Sequence, residues 1–353
     1  MGTRRDKISL AHGSGGRLSH ELIERVFRKR FDNELLNQLD DAAEFRIPSL
    51  DFARGMTLDD TRGMNTESRI AYTTDSYVVK PLFFPGGDIG KLSVCGTVND
   101  LAMKGARPLY LSAGFIIEEG FALEQMERIV DSMYLAAKEA GVQIVTGDTK
   151  VVDKGACDGL FINTSGIGLI PYGVNISGGN AKAGDAVIVS GTIGDHSVAV
   201  MNARHNFGLS GELCSDVAPL SNLVQAMLTA GGLHVLRDPT RGGLATTLNE
   251  IAGQSKVRIV IEEAKLPVRA QVRGACEMLG LDPLYCANEG KLVAIVESAK
   301  SEALVAAMRE HPYGKNATII GTVENGLGVV LKTALGAHRP VLMLEGEALP
   351  RIC

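Results

Sequence analysis

The stretch 123–150, LEQMERIVDSMYLAAKEA followed by GVQIVTGDTK, decides the fold class. Leu123, Met126, Ile129 or Val130, Met133 and Ala137 recur at helical spacing with one apolar face, and Gly141 supplies the left-handed residue on which such helices stop. Val142 to Val145 then read as a buried strand that delivers the chain to a loop of Thr146, Gly147, Asp148, Thr149 and Lys150. Helix, stop and strand leading to charged residues is the unit of an α/β (α+β) protein that collects its chemistry at strand ends. The logic returns further on, where a helix near Leu220 to Leu228 ends at Gly231 and Gly232. A strand Leu233 to Leu236 follows and empties into Arg237-Asp238-Pro239-Thr240-Arg241-Gly242-Gly243 before another helix. The two stretches share a pattern of loop then helix but no residue period, so they indicate two bodies and not a sequence repeat.

Length agrees, since 353 residues at roughly 150 per domain make two domains. The junction falls near Tyr172 to Asn180, within a stretch from Gly166 to Gly194 that also holds Pro171. The expected division is an N-terminal Gly-rich segment and helix over 1–45, a first α/β domain over 46–175, a second over 176–335, and a flexible tail over 336–353. The first segment runs His12-Gly13-Ser14-Gly15-Gly16 into a helix with Leu22, Ile23, Val26 and Phe27 on one face and Ser19 as its N-cap. In the tail, Pro340, Gly346 and Pro350 argue against a packed element.

With 45% hydrophobic and 22% charged residues, the chain has enough apolar surface for full-sized cores. A formal charge of -5 without long single-sign runs lacks the basic footprint of a nucleic-acid binder. No apolar run reaches the 18 or so residues of a membrane span. Six cysteines (95, 157, 214, 276, 286 and 353) form no Cys-x-x-Cys pair, and no secretion signal precedes them, which reads as reduced thiols in a cytoplasm.

Four aspartates, Asp75, Asp100, Asp148 and Asp238, stand where anionic ligands and metals are gathered. Mg²⁺ binds through a few carboxylates plus nucleotide phosphates, so the set suits an Mg-ATP site. Taken singly, Asp100 reads as a partner of Lys104 one turn on, and Asp238 as a helix cap. The glycine-rich turns Gly13 to Gly16, Phe83 to Asp88 and Thr240 to Gly243 each lead into a helix, whose free N–H groups suit phosphate. Neither a P-loop nor a Rossmann string occurs. Lys150 beside Asp148, and Glu289 in Ala287-Asn288-Glu289-Gly290-Lys291, could move a proton if burial brings their pKa toward neutrality, or could form surface salt bridges. Cys353, on an extended strip next to Arg351, reads as an exposed thiol on an arm whose last eight residues reach about 25 Å.

Pro350-Arg351-Ile352-Cys353, taken with Phe83 to Asp88, Asn99 to Ala102, Thr146 to Lys150, Asp238 to Gly243 and Ala287 to Lys291, resembles the HypE family of hydrogenase maturation factors. These are the carbamoyl dehydratases of the aminoimidazole ribonucleotide synthase-like (PurM-like) superfamily. The resemblance covers nearly the whole chain from Ile8 onward and departs from the family pattern at Ser197, where glycine follows Gly194-Asp195-His196. It implies a homodimer closed through a β-barrel of first domains, ATP and Mg²⁺ in the cleft, and a tail that moves between two positions. It further implies a carbamoyltransferase partner, HypF, that loads Cys353, dehydration of the loaded group to a thiocyanate, and delivery of cyanide to a HypC–HypD scaffold. By the same resemblance Cys353, Lys150 and Glu289 are catalytic. Gly13, Ser14, Gly15, Gly16, Asp75, Asp88, Asp148, Thr149, Arg241 and Gly242 hold nucleotide, and the four aspartates hold metal. The alternatives are another synthetase or kinase of the superfamily, making selenophosphate or acting on thiamine monophosphate, and a non-catalytic thiol carrier.

Overall fold

The structure is a computed structural model describing residues 16–24, 36–48, 67–209, 213–344, 349 and 351–353. A first sheet is built from β1 (Ala43–Pro48), β2 (Glu67–Tyr77), β5 (Arg107–Glu118), β6 (Gln143–Val152) and β7 (Leu160–Ile170), in the order β1-β2-β7-β5-β6. All pairings are antiparallel except β5 with β6, which is parallel. Parallel neighbours need a crossover, and the helix read from 123–140 supplies it.

That helix, α3 (Leu123–Ala140), buries Ile129, Met133, Ala136, Ala137 and Ala140 and ends on Gly141 at φ +72°. Beneath it α2 (Ile89–Met103) is buried almost all round, because it lies between the first sheet with α3 and the second body. Asp88, at the end of a small hairpin of β3 (Phe83–Phe84) and β4 (Gly87–Asp88), caps α2 by accepting from the N–H groups of Gly90 and Lys91 at 2.7 and 3.0 Å. At Gly90 the two helices approach so closely that a Cβ would stand 2.3 Å from the Ile129 carbonyl oxygen.

The second sheet has the order β14-β13-β10-β12-β8-β11-β9. Its strands are β8 (Ala186–Val189), β9 (Leu233–Arg237), β10 (Arg258–Glu262), β11 (Val293–Val296), β12 (Thr318–Glu324), β13 (Gly328–Lys332) and β14 (His338–Val341). β8 and β11 are apolar at every position because both faces are covered. Val187, Val189, Val293 and Ile295 meet α6 (Gly243–Ser255) on one side. Ile188, Ala294 and Val296 meet α5 (Ser221–Ala230) and α8 (Ser301–Arg309) on the other. Two shorter helices complete this body, α4 (Asp195–His205) and α7 (Ala270–Leu279). In the first segment, α1 (Arg17–Leu22) already includes Ser19, and Gly16 lies against Leu344 of the second body.

Three expectations are corrected. The strand after Gly141 runs on to Val152, so residues 146–150 are strand and not loop, and as an edge strand β6 is mostly exposed instead of buried. Among the described residues after 335, His338–Val341 pairs with β13, Pro340 being tolerated on this outermost strand, and Ile352 is buried in the core of the first body, so these parts are packed. Asp100 accepts from Thr73 Oγ1 at 2.8 Å, while Lys104 reaches Asp40 at 2.7 Å instead.

The Lys104–Asp40 pair pins the junction, with both side chains 3% exposed. Lys104 also donates to the Ile176 carbonyl, and Asp40 accepts from Ser177 Oγ and the Gly178 N–H. Removing one partner strands a buried charge, which generally costs about 3–5 kcal/mol. Glu44 stands 3.6 Å from the same ammonium and softens the loss. Asp40→Ala is therefore expected to lower unfolding stability by about 3 kcal/mol in urea titrations followed by circular dichroism, with an unchanged slope.

Candidate active site at the junction of the two bodies

Asp75 on β2, Asp100 on α2, Asp238 just after β9, Arg241 before α6 and Glu289 before β11 come from distant parts of the sequence into electrostatic reach of one another. The charges that act on each carboxyl establish this. Asp100 is raised well above the usual carboxylate range by burial and then by Asp238, Asp75 and Asp41. Glu289, 3% exposed, is likewise raised by burial and then by Asp238, Asp216 and Asp75. Burial pushes Asp238 up to about 6, with Arg237 opposing. Asp75 is raised by burial against the pull of Arg241. Buried carboxyls raised in this way make the group a candidate for a positive ligand or for proton transfer.

Cys353 joins this group. Leu349 and the three residues from Arg351 lie along the end of β2: the Val78 N–H donates to the Cys353 oxygen at 3.1 Å, and the Lys80 N–H to the Arg351 oxygen at 3.2 Å. Arg351 donates through Nε to the Val78 oxygen and through Nη1 to Asp158, and Arg204 donates to the Arg351 oxygen. Cys353 as a residue is half-buried, with its thiol turned inward. Burial and then Glu289 push it far up, with Arg241 pulling the other way. The expected exposed arm with a thiolate beside Arg351 is thus corrected: Arg351 spends its charge on Asp158, and the cation that senses the sulfur is Arg241.

Asp148, Thr149 and Lys150 are not brought to this group. The register sets Asp75, Thr164, Ala113 and Gly147 in one row across β2, β7, β5 and β6. Three strand spacings, about 14 Å, therefore separate Asp75 from the edge. There Lys150 pairs with Asp148 at 2.7 Å, and both side chains are about 70% exposed. The Asp148 carboxyl is held low by its bond from Lys150. Gly13, Ser14 and Gly15 lie outside the described residues. Asp88 already spends Oδ1 on two helix N–H groups, whereas Gly242 takes φ +78° as the cap of α6, where a Cβ would meet Thr246 Oγ1 at 2.2 Å. Asp238 caps no helix; α6 is capped by Gly242. Ser197 is accommodated, its hydroxyl donating to the buried Ala287 oxygen at 3.2 Å.

Sequence reasoning missed Asp41, Tyr77, Ser215, Asp216 and Arg237. Asp41 and Arg237 form a pair at 2.9 Å, and Asp216 accepts from the Glu289 N–H at 3.1 Å and pairs with Lys291. The only signal was the position of Arg237 next to Asp238; nothing in 213–217 distinguishes it from a surface loop.

Among the described residues no three His, Cys, Asp or Glu side chains are close enough to hold a metal alone. Asp41 Oδ2 and Glu289 Oε1 are buried without a hydrogen-bond partner there. The donor set therefore fits a hard cation bound by one or two carboxylates and completed by phosphate and water.

Residues 56–170 match the N-terminal domain of AIR synthase related proteins and residues 182–333 match the C-terminal domain, which defines the class. Carbamoyl dehydratase HypE of Cupriavidus necator is 53% identical over 350 residues, covering 98% of this chain and 95% of that protein. A crystal structure of a HypE–HypF complex superposes with a TM-score of 0.83 at 51% identity, covering 92% of this chain and 99% of that one. HypE in complex with ATP gives 0.78 at 50%, covering 98% and 100%. The chain belongs to the HypE family.

The raised carboxyl of Asp238 sets a pH dependence. A carboxylic acid whose folded pKa, about 6, exceeds its ordinary 3.8 binds its proton more tightly when folded. The cost of ionising it is thus fully present above about 6 and is relieved as pH falls toward 4. Asp238→Asn is expected to melt higher than the parent at pH 8 by an amount worth about 1–3 kcal/mol, the difference vanishing near pH 4. Differential scanning calorimetry of the ligand-free protein across that range checks it.

Proposed function

We propose that this protein uses ATP to dehydrate a carbamoyl group carried on the sulfur of Cys353, converting the thiocarboxamide to a thiocyanate. The cyano group so made is destined for the iron of a nickel-iron hydrogenase. The observation that carries this reading is the seat of the Cys353 thiol among Glu289, Arg241 and Asp75. A sulfur tied into its own active site makes the bound group an intramolecular substrate, so that proximity replaces affinity.

Bound ATP supplies a phosphoryl group to the amide oxygen, so that oxygen departs as phosphate, and Mg²⁺ offsets the charge of that transfer. Glu289 is the acceptor of protons from the amide nitrogen: burial raises its carboxyl, so its ionised form is a stronger base than an exposed carboxylate, and its Oε1 has no hydrogen-bond partner among the described residues. Arg241 balances negative charge beside the sulfur. One or two of Asp75, Asp100 and Asp238 would hold Mg²⁺ together with phosphate, and Gly13, Ser14, Gly15, Gly16, Asp88 and Gly242 are the residues proposed to contact the nucleotide.

Lys150, with Asp148 and Thr149, acts from a second copy, because its own strand lies at the far edge of the sheet. The first sheet is open, and β6 exposes Ile144, Val145 and Val151. A groove of about 840 Å³ beside it is lined by Phe115, Val130, Met133 and Tyr134. Two such sheets closing into a barrel bury that face and leave no free edge.

The inward thiol is a poor nucleophile, since burial holds it protonated. The carbamoyl group is therefore received in a second, outward position of the tail from a HypF-type carbamoyltransferase. The product then passes to a HypC–HypD scaffold. Six free cysteines suit the reducing cytoplasm, and none of the described helices is long and apolar enough to cross a membrane.

Intact-mass spectrometry tests the reaction. With the carbamoyltransferase, carbamoyl phosphate and Mg-ATP, the protein is expected to gain one carbamoyl group and then lose one water. Cys353→Ala shows neither step, and Glu289→Gln gains the group but loses water at least about a hundredfold more slowly. A carbamoyl group that persists in the parent protein in the presence of ATP rules the dehydratase out. Val145→Asp is expected to give monomers by light scattering and to slow dehydration; dimers with full activity contradict the shared site.

A further inference from the structure

One buried polar side chain touches the tail and has no part in the chemistry above. His196, the first-turn residue of α4, is completely buried, and its Nε2 lies 2.8 Å from the carbonyl oxygen of Ile352, the peptide that carries Cys353. A carbonyl only accepts, so Nε2 bears the proton and Nδ1 is the acceptor. Ser215 completes the arrangement. Its Oγ lies 2.7 Å from Nδ1 and accepts from the Val217 N–H at 3.1 Å, and with Nε2–H on the carbonyl its hydroxyl proton bonds Nδ1 and holds the ring in this tautomer. Burial lowers the imidazole below its ordinary pKa, consistent with a neutral ring in this tautomer, while Phe84 packs edge-on with centroids 5.5 Å apart.

The residues around Ser215 connect this contact to the rest of the site. The Ser215 N–H donates to the Pro85 oxygen in the turn before α2. The next residue, Asp216, accepts from the Glu289 N–H. The Ala218 oxygen and the Leu220 N–H both bond to Asn99 of α2. One short segment thus fixes the ring that grips the tail and the backbone of the proposed base.

We propose that His196 is a positioning residue: its Nε2–H, in the tautomer held by Ser215, clamps the Ile352 carbonyl and thereby places the Cys353 sulfur against Glu289. The clamp rests on the dehydratase reading for its purpose, but its effect on the tail is measurable without any turnover. One such hydrogen bond is worth about 0.5–1.5 kcal/mol, or roughly a 3- to 10-fold shift toward the outward position when lost. A sulfur misplaced by an ångström slows reaction by up to about a hundredfold.

The experiment uses the full chain and two readouts. The first is the rate of iodoacetamide alkylation at Cys353, followed by peptide mass spectrometry with Cys157 as internal standard. The second is single-turnover dehydration of protein already carbamoylated. His196→Ala is expected to alkylate 3- to 10-fold faster at Cys353 with Cys157 unchanged, and to dehydrate about 10- to 100-fold more slowly. His196→Gln, whose amide N–H can replace Nε2–H, restores both rates to within about threefold of the parent. If His196→Ala is not folded, Ser215→Ala carries the test, keeping the ring and removing the hydroxyl that holds its tautomer, with at least a threefold rise in alkylation expected. Rates within about twofold of the parent in His196→Ala, or in Ser215→Ala where that variant carries the test, overturn the clamp. So does a folded His196→Gln that behaves like His196→Ala, which would make the ring a packing element against Phe84. A parent protein that never dehydrates its carbamoyl group defeats the functional reading instead, and leaves the alkylation result to decide the clamp.

Discussion

The docking of Arg351, Ile352 and Cys353 along the end of β2 is the constraint on which the site depends. It is held by apolar burial and by hydrogen bonds in comparable measure: Ile352 is 4% exposed in the core of the first body, and the three residues offer carbonyls to Lys80, Arg204, His196 and Val78. Arg351 adopts φ +52°, a left-handed conformation that costs a non-glycine residue about 1–2 kcal/mol. Such a conformation persists only where its surroundings over-determine it. The paired carbonyl of Arg351 and its guanidinium on Asp158 and the Val78 oxygen do so.

What this docking encloses is a concentration of negative charge. Asp75, Asp100, Asp238 and Glu289 are all raised by burial, the last three by neighbouring carboxylates as well, and Arg237 and Arg241 offset only part of it. A core designed only for stability would replace such groups with apolar ones, because the desolvation of unpaired carboxylates exceeds what their neighbours return. These carboxyls therefore add little to holding the bodies together, which are fastened elsewhere by a well-paired contact, Lys104 with Asp40.

Much of this was legible in the sequence because it is local. The 3.6-residue spacing over Leu123 to Ala137, with Gly141 behind it, named a helix. The HypE-like Pro-Arg-Ile-Cys and the turns around Asp238 and Glu289 named the family. The failures share one cause, which is that they depend on pairing across the fold. Thr146 to Lys150 look like a loop because glycine and aspartate disfavour strands, yet β5 supplies a complete ladder and carries the strand to Val152. The tail looks unpacked because prolines remove donors, yet a docked segment needs only acceptors where the donors come from Val78, Lys80 and His196. Asp41, Ser215 and Asp216 carry no local pattern, since their partners are Arg237, His196 and the Glu289 N–H in other parts of the chain.

The placement of α2 explains how these distant pieces are kept in register. A helix buried on nearly every side is common only between two packed layers, and α2 touches the first sheet, α3, α5 and β9 together. It contributes Asp100 to the carboxylate group and Asn99 to the segment that carries Ser215 and Asp216, with Asp88 fixing its first turn. Rotating it by one residue would swing Asp100 by about 100°, out of the group, and withdraw Asn99 from Ala218 and Leu220. The cleft geometry is therefore set by the packing of one apolar helix. Gly90 admits α3 within contact of it, and Gly96, where a Cβ would stand 2.2 Å from the Tyr77 hydroxyl, admits β2.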